Sequence, residues 1–177
     1  MRYLSGILFF FILFSCASLG YADTKVYFSP NGGCQEAVIA EISHAQKSID
    51  IAMYSFTSRE IAQALVEAKE RKIKIRIVLD KAQKKERYSK SRYFLNKGFD
   101  VKFHVGSGLM HNKFAVVDGK VLITGSFNWT AAAEKKNEEN LLILTDESLI
   151  KTYEVRFEHL WQLSKEEASE ANQTDEE

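Results

Sequence analysis

Cysteine is nearly absent from this chain: Cys16 and Cys34 are the only two in 177 residues. Cys16 falls inside an apolar leader, so Cys34 alone would remain in a mature domain. That excludes an intramolecular disulfide and any thiolate metal site. Cys34 reads as a small half-buried residue opening a helix, with an intermolecular disulfide as the alternative. Histidine is also sparse. His44, His104, His111 and His159 are scattered, no His-x(3)-His pair or paired-carboxylate cluster accompanies them, and neither metal nor cofactor is expected. No segment repeats another, so each chemical group is supplied once. The unbroken apolar run 7–14 is short for a membrane span, which needs roughly 20 residues.

That run belongs to a leader. Arg2 gives a positive start, and Gly20-Tyr21-Ala22 places small residues at both ends of a cleavable tripeptide. This is the pattern of a secretory signal peptide over 1–22. Two variants stay open: an uncleaved anchor, and a lipoprotein signal at Leu13-Phe14-Ser15-Cys16 that would leave Cys16 lipidated. All three put the domain outside the cytoplasm, in the periplasm or secreted, with no stable membrane partner unless Cys16 is lipidated.

Net charge is also lacking, but only on average. Residues 165–177 hold one base and six acids and are unpatterned, so an acidic disordered tail is expected there. The remaining 23–164 suit one domain and carry 22 bases against 18 acids, and within them 69–102 holds 13 bases and four acids. An apolar share of 45% supplies a sizeable core. The basic block reads either as a surface for a polyanion or as a solvated helix face.

Strand and helix signals alternate along 23–164. Strands are expected at 24–28, 48–54, 73–79, 99–105 and 139–144, and helices at 35–46, 84–96 and 147–163. Another helix starts after Thr57-Ser58-Arg59-Glu60, which matches a capping box, and runs to about 72. Such alternation implies an α/β layered sheet. Between 111 and 130 lies HNKFAVVDGKVLITGSFNWT. Its apolar runs 114–117 and 121–123 are rich in β-branched residues and flank Asp118-Gly119, so they read as a hairpin. His111 and Lys113 share a strand face, as do Ser126 and Asn128. If the strand ends meet at one sheet edge, an imidazole, an ammonium, a hydroxyl and an amide converge. That set suits a phosphate.

His-x-Lys-x(4)-Asp followed by Gly-Ser-x-Asn resembles the signature of the phospholipase D superfamily. With one motif copy and a trailing Glu-Asn, the chain is similar over 25–161 to the small secreted bacterial endonucleases of that superfamily. The resemblance implies a mixed β-sheet flanked by helices on both faces. It also implies that Lys113 and Asn128 hold nonbridging phosphate oxygens, that Ser126 supports the phosphate or its neighbouring donors, and that Glu139 accepts a hydrogen bond from the imidazole. Glu138 competes with Glu139, because the strand register is open. Asp118 belongs to the named catalytic motif, yet Asp-Gly at a strand turn is equally what turn chemistry demands, and the structural role is preferred.

Phosphodiester hydrolysis without a metal needs a nucleophile, a proton for the leaving oxygen and cations for the developing charge. His111 can attack phosphorus if neutral, giving a phosphohistidine, and a second, protonated imidazole must serve as acid. His44 and His159 lie on predicted helices, and His104 lies on a strand outside the motif, with a place near the site left open as the alternative second imidazole. The economical solution is a homodimer that joins two copies of His111, which the resemblance also implies. Three activities follow as expectations: a metal-independent endonuclease for DNA, with RNA as a second substrate; a phospholipase D-type lipid phosphodiesterase; and a non-catalytic nucleic-acid-binding module.

Overall fold

A computed structural model describes residues 23–166, so the leader at 1–22 and all of the acidic tail beyond 166 lie outside the described residues. Eight strands form one mixed sheet in the order β1-β7-β6-β5-β2-β3-β4-β8. The strands are β1 (Thr24–Ser29), β2 (Ser48–Met53), β3 (Lys74–Leu79), β4 (Asp100–His104), β5 (Lys113–Val117), β6 (Val121–Gly125), β7 (Glu139–Leu144) and β8 (Ser164–Lys165). β2, β3 and β4 run parallel, and every other pairing is antiparallel. Lys165, assigned from sequence to the tail, instead pairs with Phe103.

Alternation along β2 and β5 builds two cores. Ile49, Ile51, Ala115 and Val117 face α1 (Cys34–His44) and α2 (Arg59–Glu70), whereas Ala52, Phe114 and Val116 face α5 (Glu147–Leu163). The sheet therefore carries helices on both faces, and its central strands are apolar on both sides, as parallel crossovers require. Cys34 is fully buried in the first core, and burial, with Glu134 and Glu36 nearby, pushes its thiol up to about 11. Its burial removes the intermolecular disulfide, and the half-buried position expected for it was too exposed.

Three local readings need correction. The basic helix expected at 84–96 is instead a 3₁₀ turn at Lys81–Lys84, a loop, and a short α3 (Ser91–Asn96). Tertiary bonds break it: Asp80 caps the turn through Ala82 N, Ser91 Oγ donates to Gln83 O, and Lys90 N donates to Phe56 O. The cap of α2 is Ser58 rather than Thr57: Ser58 Oγ accepts from Ile61 N and donates to Glu60. A helix α4 (Ala131–Lys135), capped by Thr130, follows the motif unannounced, because five residues are too few to show a period.

The basic block does not form one surface. Arg71 bonds Ile42 O and Ala45 O at the far end of α2, and Lys69 bonds Gly98 O. Arg76 lies under α5, paired with Asp50 and Glu158 and set against Phe157. Residues 81–92, which hold six bases and one acid, follow the C-terminal end of β3.

Candidate active site

Register brings the motif residues to one edge. Met53 pairs with Lys113, Phe114 with Thr124, Gly125 with Leu141, and Ser29 with Glu139. The start of β5, the ends of β6 and β2 and the start of β7 thus coincide. Because β2, β3 and β4 are parallel, this is also the edge at the carboxyl ends of β3 and β4, where ligands of open α/β sheets bind.

Each side chain has a local reason to be there. The hairpin turns at Asp118-Gly119, where φ is 56° and 64°, and Lys120 N closes it on Val117 O at 2.9 Å. At the other end, Gly125 (φ 147°) is required. A Cβ there would lie 2.2 Å from Asn140 O, and its absence lets Ser126 N reach Asn140 O at 3.1 Å. Beyond Ser126, the chain is fastened by Trp129, which packs edge-on against Phe56 at 5.1 Å and whose carbonyl accepts from Thr57 N and Ser58 N. Burying a ring of that size removes roughly 200 Å² from water, on the order of 5 kcal/mol. Asn128 therefore sits on a fixed support.

Ser126, Glu139 and Asn137 form a chain of bonds. Ser126 Oγ donates to Glu139 Oε2 at 2.5 Å and accepts from Asn140 N at 3.1 Å, and Asn137 Nδ2 donates to Glu139 Oε1 at 3.0 Å. Glu139 thus stands at the site, while Glu138 is exposed beside it. Register favours Glu139 over its neighbour. Its recorded partners, however, are a hydroxyl and an amide rather than the imidazole of His111, so Ser126 holds the carboxylate the resemblance reserved for His111.

Lys113 shares the α1–α2 face with Glu139. Burial draws its ammonium below the ordinary lysine value of 10.5, and the charge of Glu139 pulls it back up. Lys113 Nζ donates to His111 O at 2.8 Å and lies 4.8 Å from the ring centre of Tyr54. The ring of Tyr54 packs against that of His111, with centroids 4.4 Å apart at 55°. Sequence reasoning passed over Tyr54; its signal was its place immediately after a parallel strand. The main chain before His111 is held as well: fully buried Asp80 accepts from Met110 N at 2.8 Å. Asn128 Oδ1 is buried with no partner, an acceptor awaiting a donor at this edge.

Two expected positions fall elsewhere. Asp118 is not at the site. It lies at the opposite end of β5, about 16 Å from Lys113 at strand spacing. Its carboxylate accepts from Gln46 N, Lys47 N and Ser48 N at 2.7–2.9 Å, so its catalytic assignment gives way to the structural one. Burial raises its pKa, but those three bonds together bring it below the ordinary value. His104 ends β4, three strands from β5, about 14 Å away at the usual strand separation. His44 ends α1 near Asp118, and His159 is exposed on α5. Among the described residues, His111 and His104 both reach this edge, but His104 stands three strands away, and one chain places only His111 beside Lys113.

The arrangement places an imidazole, a half-buried ammonium, a hydroxyl and an amide at one sheet edge. Residues 38–161 match the family model described as cardiolipin synthase, PLD-like domain. A phospholipase D of Rickettsia conorii is 35% identical over 140 residues, which cover 79% of this chain and 70% of that protein. A mitochondrial cardiolipin hydrolase of Xenopus laevis is 36% identical over 125 residues, 71% of this chain and 60% of its own length. Among solved structures, the phospholipase D family member Nuc of Salmonella typhimurium aligns with a TM-score of 0.79 at 32% identity, over 84% of this chain and 100% of its own.

Proposed function

The chain belongs to the phospholipase D superfamily and is a phosphodiesterase of that kind; from this premise we propose that it is a metal-independent endonuclease of low sequence specificity, cutting DNA and also RNA. The observation that carries the reading is the position of the basic segment 81–92 at the edge that holds His111. Six bases and one acid beside a phosphate-type site suit a polyanion contacted through its backbone, which gives affinity without base readout.

In the proposed reaction an imidazole nitrogen of His111 attacks phosphorus, and a P–N bond forms as the P–O bond to the leaving strand breaks. The leaving oxygen takes its proton from a second imidazolium. Water then attacks the phosphohistidine, the second imidazole takes a proton from that water, and the P–N bond breaks. Lys113 and the Asn128 amide hold the nonbridging oxygens, and Ser126 keeps Glu139 in place. The second imidazole would be His111 of another copy, since His104, the other histidine at this edge, lies three strands away. Exposed Val105 and Leu109, which flank the loop before His111, give such a copy apolar surface, consistent with an interface over 106–110 and 127–133.

The same exposed side chains, with the names of the Rickettsia and Xenopus relatives, favour a second reading in which the phosphodiester is a lipid's. Incubating the purified protein with plasmid DNA, RNA and phosphatidylcholine, each with EDTA, separates the two. Cleavage of nucleic acid in EDTA supports the proposal. Cleavage of lipid alone, or full loss on chelation with rescue by a divalent ion, contradicts it.

A further inference from the structure

Beside the His111 edge lies a groove that no step of that reaction uses. It has a volume of about 330 Å³, lies between α2 and α3, and is lined by Arg59, Ala62, Gln63, Lys90 and Tyr93. We infer that it binds one flanking nucleotide of a single-stranded nucleic acid, with Arg59 and Lys90 on the adjoining backbone phosphates and Tyr93 stacked on the base. This rests on the nuclease reading and adds to it a strand preference and a second contact point.

Position supports it. Lys90 N bonds Phe56 O at 2.9 Å, and Phe56 lies two residues from Tyr54, whose ring packs on His111; that is about 7 Å of chain. Arg59 follows Ser58, whose N–H bonds the carbonyl of Trp129, next to Asn128. A strand running from the catalytic edge into the groove therefore crosses only a few nucleotides, which repeat every 3.4 Å or so in a stacked strand.

Chemistry supports it as well. Lys69, Arg71, Arg76 and Lys81 all spend their side chains on protein acceptors. Among the described residues neither Arg59 nor Lys90 donates from its side chain to the protein, so both cations are available. Tyr93 is 37% exposed and Tyr88, on the same segment, is 65% exposed. Exposed rings interleaved with Arg87, Lys90 and Arg92 are the composition of a stacking platform for single strands. The volume lies at the low end of small-molecule pockets, roughly 300–1,000 Å³, which accommodates one nucleotide and not a duplex. Gln63 Nε2 donates to Glu67, which ties the amide to α2, and the base is held chiefly by stacking on Tyr93. Ala62 and the tyrosine ring are the groove's only apolar lining, too little for an acyl chain.

The test measures binding of fluorescent dT12, the matching duplex and phosphatidylglycerol vesicles in the His111→Ala protein, so that the probe is not cut. Arg59→Ala with Lys90→Ala should weaken dT12 binding at least tenfold and reduce the salt slope by about 1.4, two phosphates at roughly 0.7 each. Tyr93→Ala should cost roughly tenfold, and Tyr93→Phe should restore binding, because stacking needs the ring and not the hydroxyl. Duplex binding should fall by less than dT12 binding, because a duplex loses only the Lys90 share of the contacts of 81–92 and no stacked base. Unchanged dT12 binding in both groove variants overturns the inference while leaving the nuclease reading standing. So does loss of vesicle binding alone, which would make the groove a lipid-headgroup site. Failure of the parent protein to bind dT12 or duplex overturns the nuclease reading and the groove with it.

Discussion

Replacing Asp118 should unfold the protein sooner without touching its chemistry. The carboxylate accepts three backbone N–H groups, from Gln46 at 2.8 Å, Lys47 at 2.7 Å and Ser48 at 2.9 Å, and so ties the β5–β6 turn to the start of β2. Removing a side chain that caps backbone donors costs roughly 0.5–2 kcal/mol, and three donors on one charged, half-buried acceptor belong at the upper end. Asp118 also has φ 56°, a left-handed conformation that costs an alanine roughly a further 1 kcal/mol. Asp118→Ala should therefore lose about 3 kcal/mol, and Asp118→Asn, which tolerates that φ and keeps one acceptor oxygen, about 1 kcal/mol. Urea unfolding of both variants against the wild type gives these differences directly. The folded pKa lies below the ordinary 3.8, so the unfolded chain binds the proton more readily. The contribution is then complete above about pH 4 and fades as pH falls through the lower, folded value. The gap between wild type and Asp118→Asn should narrow below pH 4. Turnover per folded molecule should stay within about twofold of wild type. Wild-type stability combined with a thousandfold loss of turnover would refute the reasoning and return Asp118 to the chemistry.

Three further outcomes are expected. His111→Ala should lose turnover by roughly 10⁴-fold or more while its affinity for DNA stays within threefold, measured by activity and anisotropy on the same preparation. Binding of duplex DNA should weaken with salt along a log–log slope of about −4, corresponding to four or five phosphate contacts; a flat response would show that residues 81–92 face away from substrate. Burial lowers the pKa of Lys113 from 10.5, so the alkaline limb of kcat/KM should fall below that value. In Lys113→Arg any residual activity should lose this limb, because a guanidinium keeps its proton.

The site was legible wherever its residues were set by local spacing. Two-residue parity placed His111 beside Lys113, Asp118-Gly119 marked the turn, and the strand Glu139–Leu144 and the helix Glu147–Leu163 begin and end where their apolar periods do. What could not be read depends on contacts distant in sequence. A helical period over 84–96 lost to bonds from Gln83, Phe56 and Asp80, none of which leaves a mark in that window. The block 69–102 looked like one basic surface because sequence hides that β3 crosses the molecule, sending Arg71 to one end and Lys81 to the other. Tyr54 gave no motif signal, since its partners His111 and Lys113 are more than fifty residues away. The alternation that made both cores was plain, but the choice between Glu138 and Glu139 needed the register of β7 against β1 and β6.

The shared site is the central proposal, and a mixed dimer tests it most directly. Wild-type and His111→Asn chains carrying different tags are co-expressed, and the heterodimer is isolated by sequential affinity steps and assayed on plasmid DNA. One chain brings one His111 beside Lys113, so a heterodimer holds a nucleophile without its acid, or the acid without its nucleophile. It should lose far more than half of the wild-type dimer's activity. A heterodimer that retains half, or an active species that sediments as a monomer, would contradict the shared site.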